Sequence, residues 1–374
     1  MMQRRQILAM VVGSAIAGLA AGAGAQDVIK IGAIAPLTGN FAPVGQSQLN
    51  GLELRTEEIN KENGKYKIKL IVHDDASKCN ESVNATIEVL TKDKVTAVFG
   101  ATNSPCALAM IPSTSRYKVP QFTYGVGTAL TEQGSKWIFR IAVGAPGQSR
   151  ALANYAVHDL KQDKIAVLYS DDEYGASMAN GFKKALQDLK LEPAAFESFP
   201  ISDQDFTGQL TKVKESGATA LFATGVYTAV ALIAKQAKQM GMNLQLLGDT
   251  GTATPKFAEL GGKDVEGTIL VVPFDPDSTA PKVRSFVQKY NAKFGRNPGG
   301  WEAEVYDALS MIYEAVNKSG ENTPEAVRKY VSGLTPEHPY VGVLGEWKFD
   351  QKGNADFPLY MVKIEGGKQV VVSK

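Results

Sequence analysis

Residues 95–128, VTAVFGATNSPCALAMIPSTSRYKVPQFTYGVGT, set hydroxyl groups at the ends of two short apolar runs. The run 96–99 is β-branched and closed by Gly100, the pattern of a buried parallel strand. Asn103-Ser104-Pro105 follows, and Ser as N-cap with Pro in the first turn starts a helix that runs to about Tyr117. Residues 120–124 predict the next strand, and Gly125, Gly127 and Thr128 a second tight turn. Ser104 and Thr128 then stand on neighbouring strand ends beside the N–H groups of a helix start. That edge of an open α/β sheet takes an anion, and a small carboxylate is its natural guest. Singly, each residue reads as a helix cap; the pairing points to a ligand.

Three later turns supply an opposing wall: YSDDEYG (169–175), TGVYT (224–228) and GDTGT (248–252). Tyr174 and Tyr227 offer an apolar face and one hydroxyl each, which suits a cleft that holds a ligand and excludes water. Asp249 is placed to meet a ligand ammonium, although an Asp before a helix also reads as an N-cap.

Other chemistries lack their parts. His73, His158 and His338 are scattered, with no H-x-x-x-H spacing for zinc. Gly175-Ala176-Ser177-Met178-Ala179 lacks the last glycine of a nucleophile elbow, Gly125-Val126-Gly127 lacks the third glycine of a dinucleotide fingerprint, and there is no Walker loop. Asp74-Asp75 and Asp171-Asp172 are adjacent carboxylates that point apart. No enzyme, metal site or cofactor is expected.

The elements that must position these turns alternate. Residues 28–35 and 67–72 read as strands, and 46–60 and 81–90 as helices with one apolar face; 137–143 is another strand, and Gly144-Ala145-Pro146-Gly147 is where the chain leaves a first lobe. Alternation restarts with helices at 151–160, 177–189, 206–214 and 228–239, and strands at 164–169, 194–199, 218–223 and 245–247; 268–272, closed by Pro273, reads as the return. Helices at 283–294, 302–317 and 324–331 would cover the first sheet, and 345–372 reads as strands of the second lobe. The expected class is α/β: two doubly wound, parallel-rich lobes, with 26–143 plus 273–344 in one and 144–272 plus 345–374 in the other.

The 374 residues carry 40 basic and 39 acidic side chains. Arg4 and Arg5, a short apolar run and Ala23-Gly24-Ala25 read as an export leader over 1–25. Its removal takes two Arg from the 40 and leaves 38 against 39, so no basic excess suggests a nucleic-acid partner. Cys79 and Cys106 are the only cysteines. In an exported chain an even count favours one disulfide, with two separate buried thiols as the other reading.

The order and spacing of IKIGAIAPLTGNFAPVGQSQLNGLEL, HDDASKC, FGATNSPC, YSDDEYGASMA, TGVYTAVA and GEWKFDQKGNADFPLYMVKI resemble the periplasmic solute-binding proteins of the leucine/isoleucine/valine type. The resemblance implies two lobes joined by a three-strand hinge, closing on a small ligand, in a periplasmic monomer that serves an ABC permease. It implies that Ser104 and Thr128, with Asn103 beside them, bind the ligand carboxylate and that the Val126 carbonyl faces the ammonium. Tyr174 and Tyr227 would close from the second lobe; Trp301 falls near an aromatic position of the pocket, and Val44 where members often place an aromatic. Members that bind α-amino acids put Glu after the strand 245–247; here Thr250 stands there, with Asp249 beside it. Members also often have Cys where Asn103 precedes the serine. A branched-chain or related amino acid is thus the expected ligand, with an aromatic or other simple carboxylate as the alternative and a ligand-sensing receptor as the rival class.

Overall fold

The computed structural model describes residues 27–373; the expected leader, 1–25, lies outside them. The chain begins with β1 (Asp27–Ala35), α1 (Ala42–Lys61), β2 (Tyr66–Asp74), α2 (Cys79–Glu88), β3 (Ala97–Phe99), α3 (Ser104–Tyr117), β4 (Gln121–Thr123), α4 (Ala129–Glu132) and β5 (Ile138–Arg140). Its β-branched runs form a five-stranded sheet, β2-β1-β3-β4-β5, parallel throughout. A parallel sheet needs crossovers on its faces, which is why the intervening segments are amphipathic helices.

A second alternation follows: α5 (Ala145–His158), β6 (Ile165–Ser170), α6 (Glu173–Asp188), β7 (Phe196–Phe199), α7 (Thr207–Glu215), β8 (Ala220–Thr224), α8 (Tyr227–Gln239), β9 (Gln245–Gly248), α9 (Pro255–Gly261) and β10 (Ile269–Val272). Then come α10 (Pro281–Phe294), α11 (Gly300–Ser319) and α12 (Pro324–Ser332), and β11 (Tyr340–Gly342), β12 (Gly345–Phe349), β13 (Ala355–Asp356), β14 (Tyr360–Glu365) and β15 (Lys368–Ser373). The second sheet runs β15-β14-β10-β9-β8-β6-β7, with β14 and β15 antiparallel to their neighbours. As expected, α10–α12 pack on the first sheet: Phe286, Tyr290, Leu309, Ile312 and Val327 share one core with Ile29, Ile31 and Phe122. Among the described residues, no helix is long and apolar enough to cross a membrane.

The last section departs from the sequence reading. Only β14 and β15 join the second sheet; β11–β13 form a small sheet of their own. Trp347, Phe349 and Phe357 lie in the first lobe's core, Phe349 meets Phe139 edge to face at 5.9 Å, and the N–H of Arg140 donates to the Gly353 carbonyl. The third passage between sheets therefore follows β13, not residue 344. Burying three aromatics favours this by roughly 2–3 kcal/mol apiece, a preference that alternation along the strand does not encode. At Gly144-Ala145-Pro146-Gly147, Gly144 is the N-cap of α5 and Pro146 lies in its first turn. Cys79 and Cys106 are disulfide-bonded, tying the first turn of α2 to that of α3.

Candidate functional site

The C-terminal ends of β3 and β4 face those of β6, β8 and β9 across a cavity. Thr102, Asn103, Ser104, Tyr124, Gly125, Val126, Phe41, Val44 and Trp301 line it from the first lobe, and Asp172, Tyr174, Gly225, Val226, Thr250 and Gly251 from the second. Neither Lys nor Arg is among them.

On the first wall the cap of α3 is Asn103, not Ser104: its side chain accepts the N–H of Cys106 at 2.9 Å. Ser104 is thereby the first helical residue, and its Oγ reaches across to accept the N–H of Gly127 at 3.0 Å. A hydroxyl that accepts still has its own proton to give, so Ser104 can donate to a ligand oxygen at the positive end of α3. Thr102 is held by Gln48, whose Oε1 accepts its hydroxyl at 2.7 Å.

The turn after β4 is pinned from below. The buried Arg140 guanidinium donates to the carbonyls of Val126 at 2.8 Å and Gly127 at 2.6 Å and to the Thr131 hydroxyl at 3.2 Å. Burial lowers its pKa to about 10, still protonated at neutral pH. Because the Val126 carbonyl also accepts the N–H of Ala145, both its lone pairs are engaged, and it does not serve as the ammonium acceptor that the resemblance implied.

On the second wall Asp249 is fully buried. Its carboxylate accepts from the Tyr174 hydroxyl, from Thr224 Oγ1 at 2.5 Å, from the Gly251 N–H at 3.0 Å and from Thr252 Oγ1 at 3.4 Å. Burial raises its pKa, opposed by these hydrogen bonds; burial and the Asp249 charge push the Tyr174 phenol well up. Asp249 therefore orients Tyr174 and does not line the cavity. A Cβ at Gly251 would lie 2.2 Å from the Tyr174 hydroxyl, so a side chain there would displace that hydroxyl. Thr250 does line the cavity, its hydroxyl given to Gln148 Oε1 at 3.0 Å.

Two more residues fall outside. Thr128 is exposed, and its N–H donates to Ser177 Oγ at 2.9 Å in a separate surface groove. Tyr227, in the first turn of α8, packs into the second lobe's apolar core. Asn103, Ser104, Val126, Tyr174, Thr250 and Trp301 remain at the cavity. Phe41, Thr102, Tyr124 and Asp172 were not anticipated, although all four lie in or beside strand-end turns, the signal that located Ser104. Where Thr128 leaves the cavity the lobes touch: Ala129 N–H donates to Glu173 Oε1 at 3.0 Å.

Comparison with known proteins agrees with this architecture. Residues 28–369 match the model of a family described as periplasmic binding protein. The leucine-, isoleucine-, valine-, threonine- and alanine-binding protein of Pseudomonas aeruginosa is 30% identical over 361 residues, covering 92% of this chain and 93% of that one. The branched-chain amino acid transporter substrate-binding protein LivJ of Streptococcus pneumoniae, solved with isoleucine, is similar at a TM-score of 0.84 and 25% identity over 93% of this chain and all of that one. A solute-binding protein of an ABC transporter from R. palustris, solved with benzoate, shares the fold at a TM-score of 0.83 and 19% identity, over 92% of this chain and 96% of that one. With two parallel-rich lobes whose strand ends enclose one cavity, and a family match over nearly its whole length, the chain belongs to the periplasmic binding protein family.

Proposed function

We propose that this protein is the periplasmic receptor of an ABC importer, capturing a small carboxylate-bearing solute, a branched-chain or related amino acid, between its lobes and delivering it to the permease. The observation that carries this reading is the cavity built from the strand ends of both sheets, with the Ser104 hydroxyl and the α3 N-terminus on one wall. Without a cation in the lining, a ligand carboxylate is held by helix-start amides and hydroxyls, the usual device for an anion that must also be released. Contacts to both walls exist only with the lobes together, so ligand binding favours closure.

Catalysis has no support here. Ser104 has no His or Lys beside it in the lining, and its oxygen accepts a backbone N–H instead of giving its proton to a base. The leader over 1–25 would direct export, after which the chain acts as a monomer.

A second reading has its own observation: Phe41, Tyr124, Tyr174 and Trp301 surround the cavity, which suits an aromatic carboxylate. A thermal-shift and calorimetric screen of aliphatic amino acids, aromatic acids and amides separates the two. A ligand at 100 times its Kd adds about 2.7 kcal/mol. Amino-acid binding with intact ligand recovered supports the first reading; stabilisation by benzoates alone supports the second, and conversion of the ligand refutes both.

A further inference from the structure

Both ammonium partners expected at this cleft are engaged: the Val126 carbonyl by Arg140 and Ala145, and Asp249 by Tyr174, Thr224 and Gly251. Glu304 is not. It lies on α11 one turn beyond Trp301, is 2% exposed, and among the described residues its carboxyl has no hydrogen bond or ion pair. It lines a second cavity with Ala142, Phe274, Thr250 and Trp301. Thr250 and Trp301 line the ligand cavity too, so both spaces border that pair.

The groups that face Glu304 leave it uncompensated. Glu302, on the same helix, is matched by Arg296, Tyr290 and the Gly299 N–H. Tyr124, after β4, presents a phenol; Asp277, after β10, is a further acid on the second cavity. No Lys or Arg lines either space. Burial and the Glu302 charge hold the Glu304 carboxyl well above the usual carboxylate range. A buried acid without a cation is tolerated only protonated or when a cation arrives.

We propose that Glu304 is the counter-ion for the ligand's ammonium, so that this site selects a zwitterionic amino acid over the same skeleton without its amino group. The inference rests on the reading of the cleft as a small-carboxylate site and names the second recognition point within it. As the ammonium enters, Glu304 releases its proton to solvent and the ligand nitrogen keeps all three of its own.

The test is titration calorimetry on the whole exported chain and Glu304→Gln. The probes are L-leucine and L-phenylalanine with their des-amino counterparts, 4-methylpentanoate and 3-phenylpropanoate, in phosphate and in Tris at pH 7. Wild type should bind an amino acid at least about tenfold more tightly than its counterpart, with a buffer-dependent enthalpy that reports proton release. Glu304→Gln should lose most of that preference and the proton release, while its affinity for the counterpart changes less than about threefold. A variant that binds the amino acids as wild type does, or loses both probe types equally, overturns the proposal. Wild-type binding of the des-amino acids alone overturns it and leaves the small-carboxylate reading standing; binding of no probe overturns both.

Discussion

Ser104 Oγ accepts the N–H of Gly127 at 3.0 Å across 23 residues of sequence, joining the turns after β3 and β4 into one wall. The bond leaves the hydroxyl proton of Ser104 free to donate, while Thr128, the residue after Gly127, turns outward.

That geometry separates two hydroxyls that look alike in sequence. Ser104→Ala should weaken carboxylate binding by about 1–3 kcal/mol, the cost of removing a hydrogen bond to a charged group, whereas Thr128→Ala should leave affinity within about twofold. Calorimetry with the best ligand of the screen checks this; equal losses in both variants would return Thr128 to the site.

Glu173 links the two lobes. Its Oε1 accepts the Ala129 N–H from the other lobe and the Ser177 hydroxyl at 3.0 Å. Glu173→Ala should lower affinity by about 0.5–1.5 kcal/mol, chiefly by faster ligand dissociation, with unchanged thermal stability of the free protein. Stopped-flow dissociation rates are the measurement, and an unaltered rate would show that the contact does not hold the closed form.

The disulfide anchors the helix start that holds Ser104. Cys79 and Cys106 are 27 positions apart, so releasing the bridge frees a loop worth about 3–4 kcal/mol of unfolded-state entropy. The Cys79→Ser, Cys106→Ser double variant should unfold at correspondingly lower denaturant. It should also be indifferent to dithiothreitol, which destabilises the wild type.

Asp307 supplies a pH signature. Its carboxylate accepts from the N–H groups of Val343 and Leu344 and from Trp347 Nε1, yet burial pushes its pKa up to about 6. The folded group takes up a proton below about 6, before the unfolded chain does near 3.9. Its contribution to stability therefore rises as pH falls from about 6 to about 4, and is lowest above 6. Denaturant titrations at pH 7 and pH 5 should show this favourable change on acidification in wild type but not in Asp307→Asn. An identical pH dependence in both proteins would exclude Asp307 as the source.

Much of the site was legible because parallel α/β sheets present ligands at strand ends, and strand ends are local signals: a β-branched run, then Gly, Asn, Ser or Tyr. Ser104 and Tyr174 were found on that basis; Thr250 and Trp301 were singled out by the family resemblance. Thr128 and Asp249 were misplaced because their roles depend on partners far along the chain. Ser177 takes the N–H of Thr128 49 positions away, and Tyr174 takes up Asp249 across 75. Whether a carboxylate is open to a ligand depends on such partners, and no periodicity reports them.

The amino-acid sequence by itself determined the alternation of strands and helices and the turns that meet at the cleft, because each follows from composition and spacing within a few residues. Tertiary structure alone decided that Trp347 draws β12 to the first lobe, that Asp249 is enclosed, and that Glu304 is buried beside the cavity with no hydrogen bond or ion pair among the described residues. Those outcomes are set by what packs across the fold, where burial and hydrogen bonding are shared among residues that the chain order keeps apart.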